Sequence, residues 1–152
     1  MSVNSYLTNL ASSSIIRDAE KISINKSIEN LQSKLKIVDS SFSDHFIFGS
    51  HNRGTILPRT IDENSDIDYM IVFDDNSKKP QSYLNWLKIN IAEKYYSRSE
   101  IYQSNPTVVL ELNHIKFELV PAIIQFPSSI LHQFYLLHWI ASLIILRWKF
   151  QG

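Results

Sequence analysis

The chain contains no cysteine and only three glycines in 152 residues, one of them the last residue, Gly152. The first absence excludes disulfides and thiolate metal sites and fits a cytoplasmic location. The second means that Gly49 and Gly54 stand where the backbone needs positive φ or a close approach. Neither sign of charge is in excess, with 15 Lys plus Arg against 15 Asp plus Glu. No global field therefore draws in a long polyanion, and any nucleotide or nucleic-acid site has to be local. "MSVNSYLTNLASSS" lacks a basic stretch followed by an apolar run, so it does not read as a secretory signal. Long hydrophobic runs are scarce too. The most apolar one, Phe134 to Leu146, falls short of the ~20 residues of a spanning helix. Extending it back to Ile130 and Leu131 takes in His132 and Gln133, so a buried helix is expected there and no membrane contact. What remains is ordinary: 44% hydrophobic and 20% charged residues suit one globular domain with a real core.

Along the chain, Ser12 to Ser14 offer N-caps to a long helix. Ile15, Ala19, Ile22, Ile28, Leu31, Leu35 and Val38 recur behind them at helical spacing. "DHFIFGS" reads as a buried strand feeding a turn, and Ile67 to Phe73 as a second strand. Leu84, Leu87, Ile91 and Tyr95 mark one face of an amphipathic helix. "TVVLEL" and "IKFELVP" are β-rich runs joined at Asn113-His114, a tight hairpin, with Pro121 expected to end the second. The sum is an α+β domain, a small mixed sheet flanked by helices.

Chemistry concentrates in three places. Asp66 and Asp68 stand two apart at a strand start, so both carboxylates leave one face of the sheet. Held that close they repel, unless a hard divalent cation with oxygen ligands sits between them. Alone, such a pair is more often a solvated strand start. Upstream, Gly49 and Ser50 close a strand and open a turn, where backbone N–H groups and a hydroxyl can meet an anion. Arg53 adds a guanidinium suited to phosphate. Downstream, Glu118 alternates with Phe117 and Leu119, so its carboxylate, like the Lys116 ammonium, leaves the apolar side. If that strand lies beside Ile67–Phe73, a third acid joins the first two. The five histidines are scattered without metal-ligand spacing and read as structural or surface residues; His51, inside the loop, could touch a phosphate, but the plainer reading is preferred. Tyr95, Tyr96, Arg98 and Tyr102 could stack a base, but helix-end packing is the simpler account. Asp62, Glu63 and Asn64 read as loop decoration.

Taken together, "FGSHNRGTILPRTIDENSDIDYMIVF" resembles the catalytic signature of the polymerase-β-like nucleotidyltransferases. More narrowly, it is similar to the bacterial branch that makes oligonucleotide or cyclic dinucleotide second messengers in antiphage defence. "ELNHIKFELVPAI" resembles that branch's third-acid strand. The resemblance implies that Gly49 and Ser50 bind the triphosphate, and the Arg53 guanidinium, by its own chemistry, is expected to bind the same phosphates. It implies that Asp66, Asp68 and Glu118 are both the catalytic acids and the ligands of Mg²⁺, with Mn²⁺ as its substitute. The third acid is usually aspartate in this branch, so Glu118 is a departure that reaches one methylene farther. The implied partners are NTP substrates, with no stable DNA or RNA partner.

The resemblance ends near Ile123, whereas members of the branch continue into a helical second half. Residues 1–125 are therefore expected to form the catalytic core and 126–152 an apolar helical tail. That tail marks either a truncated fragment or a minimal form that covers the sheet or self-associates through it. Two other readings stay open: a short nucleotidyltransferase that modifies a protein or small molecule, as antitoxin-type relatives do, and a non-catalytic nucleotide-binding remnant.

Overall fold

The computed structural model describes residues 2–38, 42–75, 77–95 and 100–123. The expected long N-terminal helix is instead two helices, α1 (Val3–Ser13) and α2 (Asp18–Lys36). The serines expected to start a helix end one. The hydroxyls of Ser12, Ser13 and Ser14 donate to carbonyls of Thr8 and Leu10, and α1 is capped at its start by Ser2. No residue of α1 is buried. Restarting at Asp18 also changes which face α2 buries. Ile24, Ile28, Leu31 and Leu35 are buried, whereas Ile15 and Ile22 are 64% and 57% exposed. Asp18 and Glu20 in the first turn, and Lys34 and Lys36 in the last, match the helix dipole.

Among the described residues five strands follow: β1 (Phe42–Ile47), β2 (Asp66–Phe73), β3 (Glu100–Ser104), β4 (Thr107–Glu111) and β5 (Lys116–Ile123). They form one mixed sheet in the order β1-β2-β5-β4-β3. Only the β2–β5 pair is parallel; the other neighbours are antiparallel. β1 is an edge strand with Ser43 and Asp44 exposed, not the buried strand its apolar run suggests. β3, unread in the sequence, is the other edge. The hairpin at Asn113-His114 is present, closed by the Leu112 N–H donating to the Ile115 carbonyl at 2.9 Å. β5 does not stop at Pro121 but runs to Ile123. By then the β4 ladder has ended at Val108–Leu119, so β5 is paired only with β2 and one edge tolerates a missing N–H.

Helix α4 (Pro80–Lys94) opens with a proline where no N–H is required. It lays Tyr83, Leu84, Leu87 and Ile91 into the core, with Tyr95 packed at its end. There they join the buried face of α2 and one face of the sheet, Ile67, Tyr69, Ile71 and Phe73 from β2 with Phe117 and Leu119 from β5. Each such side chain contributes roughly 1.5–3 kcal/mol of burial. The period of two then dictates that Asp66, Asp68, Lys116 and Glu118 lie on the opposite face. The 126–152 tail helix and the 125/126 boundary, like Tyr96 and Arg98, lie outside the described residues. Among the described residues no helix is long and apolar enough to cross a membrane.

Candidate active site

The site begins where β1 stops. The Phe48 N–H donates to the Asp68 carbonyl at 3.0 Å, which sets the following turn against the start of β2. That turn is α3 (Gly49–Asn52), a single turn bounded by the two positive-φ glycines, Gly49 and Gly54, both at +68°. Their reasons differ. A Cβ on Gly49 would lie 1.7 Å from Asp68 Oδ2 and 2.6 Å from its Cγ, so the position must be bare for the carboxylate to lie there. A Cβ on Gly54 would meet nothing within 4 Å; that residue supplies only the left-handed end of the turn.

The segment from the turn to β2 is fixed by Arg59. Its guanidinium forms a 2.8 Å ion pair with Glu111 and donates to the Glu63 carbonyl through Nε and Nη2 and to the Leu112 carbonyl through Nη1. The Ser65 hydroxyl, donating to the Leu57 carbonyl at 2.6 Å, ties the last residue before Asp66. A cavity of about 370 Å³ lies behind the turn, lined by His51, Gly54 and Ile56 with Ile16, Lys21 and Asn25. Burial there holds the His51 pKa below its ordinary value.

Parallel pairing of β2 with β5 sets Asp66 beside Lys116 and Asp68 beside Glu118. The Lys116 ammonium lies 3.3 Å from Asp66 and 3.4 Å from Glu118, with 14% of its side chain exposed. Burial and then the Asp66 charge raise the pKa of Glu118, although Lys116 opposes them. The same two causes raise that of Asp68, against the Ser50 backbone amide, Arg53 and Lys116. For Lys116 burial is the largest effect and acts downward, but Asp66 and Glu118 together outweigh it and leave its pKa raised. The three expected acids thus share one face at one end of the β2–β5 pair, with the Gly49–Ser50 turn against Asp68. Arg53, at the end of α3, is exposed.

Among the described residues no three acidic or imidazole groups are set as a ready cage for a metal ion. The donor set nevertheless suits a hard divalent cation: it is all carboxylate oxygen, and a cationic nitrogen already stands between two of its members. Lys116 is the residue whose role the sequence did not disclose. The alternation Lys-Phe-Glu puts it on the Glu118 face, but only the parallel register brings it to Asp66. Two of the described histidines are structural, His45 bonding the Tyr69 hydroxyl at 2.6 Å and His114 the Ser27 hydroxyl at 2.9 Å, whereas His51 lines the cavity.

Comparison with known proteins places this geometry in context. Residues 1–130 match the Second Messenger Oligonucleotide or Dinucleotide Synthetase domain family. Among solved structures, the chain is similar to the Bradyrhizobium diazoefficiens CD-NTase CdnG in complex with GTP (14% identity, TM-score 0.66, covering 78% of this chain and 36% of that one). It is also similar to Escherichia coli MS115-1 CdnC in its complex with HORMA-deltaN (16%, 0.59, 78% and 40%). A third similarity is to a mutant Cid1 poly(U) polymerase bound to MgATP (14%, 0.55, 77% and 36%). At these identities the likeness is one of fold, and the chain spans 40% or less of the length of these three proteins. No curated protein matches the chain.

Proposed function

Because the chain belongs to the Second Messenger Oligonucleotide or Dinucleotide Synthetase family, we propose that it carries the catalytic half of a nucleotidyltransferase. In the proposed reaction a ribose hydroxyl oxygen bonds to the α-phosphorus of an NTP. The bond from that phosphorus to the bridging oxygen breaks, and pyrophosphate leaves with the electron pair. The observation that carries this reading is the meeting of Asp66, Asp68 and Glu118 on one face, with Asp68 against a turn that only glycine can make.

In this proposal Asp66, Asp68 and Glu118 hold Mg²⁺, or Mn²⁺ in its place, and Gly49, Ser50 and Arg53 bind the phosphates. Bound there, the cation would supply charge neutralisation for the triphosphate and the leaving pyrophosphate. Glu118 accepts the hydroxyl proton. The product is an oligonucleotide or cyclic nucleotide messenger used in antiphage defence. Residues 1–125 are the catalytic core in this reading, and the cytoplasm is its setting. CdnG bound to GTP and Cid1 bound to MgATP support the nucleotide and the cation.

The test is pyrophosphate release from mixed NTPs with Mg²⁺, comparing the wild type with Asp66→Ala plus Asp68→Ala. Loss of release in the double variant, with a soluble labelled oligonucleotide from the wild type, is the expected result. Equal release from both would remove the proposed site. Label retained on the protein itself would point to a protein-modifying transferase instead.

A further inference from the structure

The acid cluster contains a cation of its own. Lys116 Nζ lies 3.3 Å from Asp66 Oδ2 and 3.4 Å from Glu118 Oε1, and its side chain, 14% exposed, is the least exposed of the three. It is placed by the β2–β5 register, two residues before Glu118 on the same face and directly beside Asp66. The geometry points to Lys116 as an internal counter-ion that competes with the divalent cation for the Asp66 and Glu118 oxygens. Cation loading is thereby made to depend on nucleotide. This rests on the nucleotidyl-transfer reading of the site and specifies how that site is regulated.

The physical case is one of charge. Three carboxylates on adjacent strand positions of one face repel each other. Without nucleotide, one ammonium offsets that repulsion through two short contacts. A divalent cation entering alone would have to displace the ammonium or share the carboxylates with it, and like charges at that separation are strongly unfavourable. An NTP brings its own negative phosphates. With them present both positive charges are needed, and the flexible four-carbon stem lets the ammonium leave the carboxylates for the phosphates. The wild-type protein therefore binds free metal weakly and metal–nucleotide well. Lys116 acts here as a positioning residue, through the carboxylates.

The experiment titrates the full chain with Mn²⁺ alone, without nucleotide, reading bound metal by electron paramagnetic resonance. Lys116→Met is expected to bind Mn²⁺ about tenfold or more tightly than the wild type. It should melt at a lower temperature in chelator and regain stability on Mn²⁺ addition. Lys116→Arg, which keeps the charge, should bind Mn²⁺ no more tightly than the wild type. If Lys116→Met is unfolded in chelator, Lys116→Gln, which leaves a polar head among the carboxylates, carries the same comparison. Adding Asp66→Asn should abolish the tightened binding. Two failures are distinguishable. Mn²⁺ affinity that Lys116→Met leaves unchanged or weakens, while Asp66→Asn abolishes binding, overturns the counter-ion role and leaves the metal site standing. Binding that survives Asp66→Asn, or is absent from every variant even with nucleotide added, overturns the reading of the acid cluster itself.

Discussion

Two glycines at the same φ offer a controlled comparison, because only one of them makes room for a neighbouring side chain, that of Asp68. Both sit at +68°, so an alanine at either position carries the left-handed backbone cost of about 1–2 kcal/mol. At Gly54 nothing lies within 4 Å of the new methyl, and the cost should end there. At Gly49 the methyl would stand 1.7 Å from Asp68 Oδ2, 2.6 Å from Cγ and 3.0 Å from Cβ. The carboxylate can rotate away, but Cβ is fixed on β2, so the strand or the turn must also yield. Overpacking of that kind adds about 1–3 kcal/mol. Gly49→Ala is thus expected to lose about 2–5 kcal/mol and Gly54→Ala about 1–2, measured by urea unfolding at equal slope. The distinctive part is the coupling. In an Asp68→Gly background, Gly49→Ala should cost little more than Gly54→Ala does, because the obstructing side chain is gone. Pyrophosphate release should fall by about a hundredfold or more in Gly49→Ala, since an angstrom of misplacement at the reacting centre has that effect, and only a few-fold in Gly54→Ala. Equal destabilisation by the two alanines, or a cycle with no coupling to Asp68, would refute the argument that Gly49 exists to seat that carboxylate.

Further outcomes follow from the same geometry. Asp68→Asn should raise the melting temperature of the nucleotide-free protein at neutral pH. The folded pKa of Asp68 is raised, so its contribution is fully present below the unfolded pKa and is lost as pH rises through the folded one; the gain should shrink as pH is lowered into the carboxylate range. A gain that grew on acidification would contradict the sign. Tyr95→Phe should stabilise by about 1 kcal/mol, since its buried hydroxyl has no hydrogen-bond partner among the described residues, and the ring under Lys34 Nζ, 4.6 Å from its centroid, is retained. Unfolding at an unchanged or lower midpoint would show that the hydroxyl is satisfied. Arg59→Ala should destabilise by roughly 1–3 kcal/mol, and Arg59→Lys should recover less than half of that, because a single nitrogen cannot reproduce the spread of Nε, Nη1 and Nη2 that reaches Glu111 and two carbonyls. Full rescue by lysine, read by urea denaturation, would reduce Arg59 to a simple charge.

The sequence by itself determined the parts whose physics is local. Alternation in "IKFELV" fixed Phe117 and Leu119 inward and Glu118 outward. The two-apart aspartates fixed a shared face, and a chain with so few glycines marked the turn at Gly49 and Gly54. Asn113-His114 located the hairpin, and Leu84, Leu87 and Ile91 the buried stripe of α4. Local signals misled where two meanings competed. Ser12 to Ser14 cap a helix start or bond back at a helix end with equal ease, so one helix was expected where two form. Pro121 reads as a strand stop until the partner strand on one side is known to have ended. Only the tertiary structure decided that β5 lies parallel to β2 in the register that sets Asp66 beside Lys116 and Asp68 beside Glu118. Strand order and register depend on which apolar faces meet across the core, between segments some fifty residues apart, and no spacing within either segment encodes that choice. A shift of one residue would have sent Lys116 and Glu118 to the core face and left the aspartates alone.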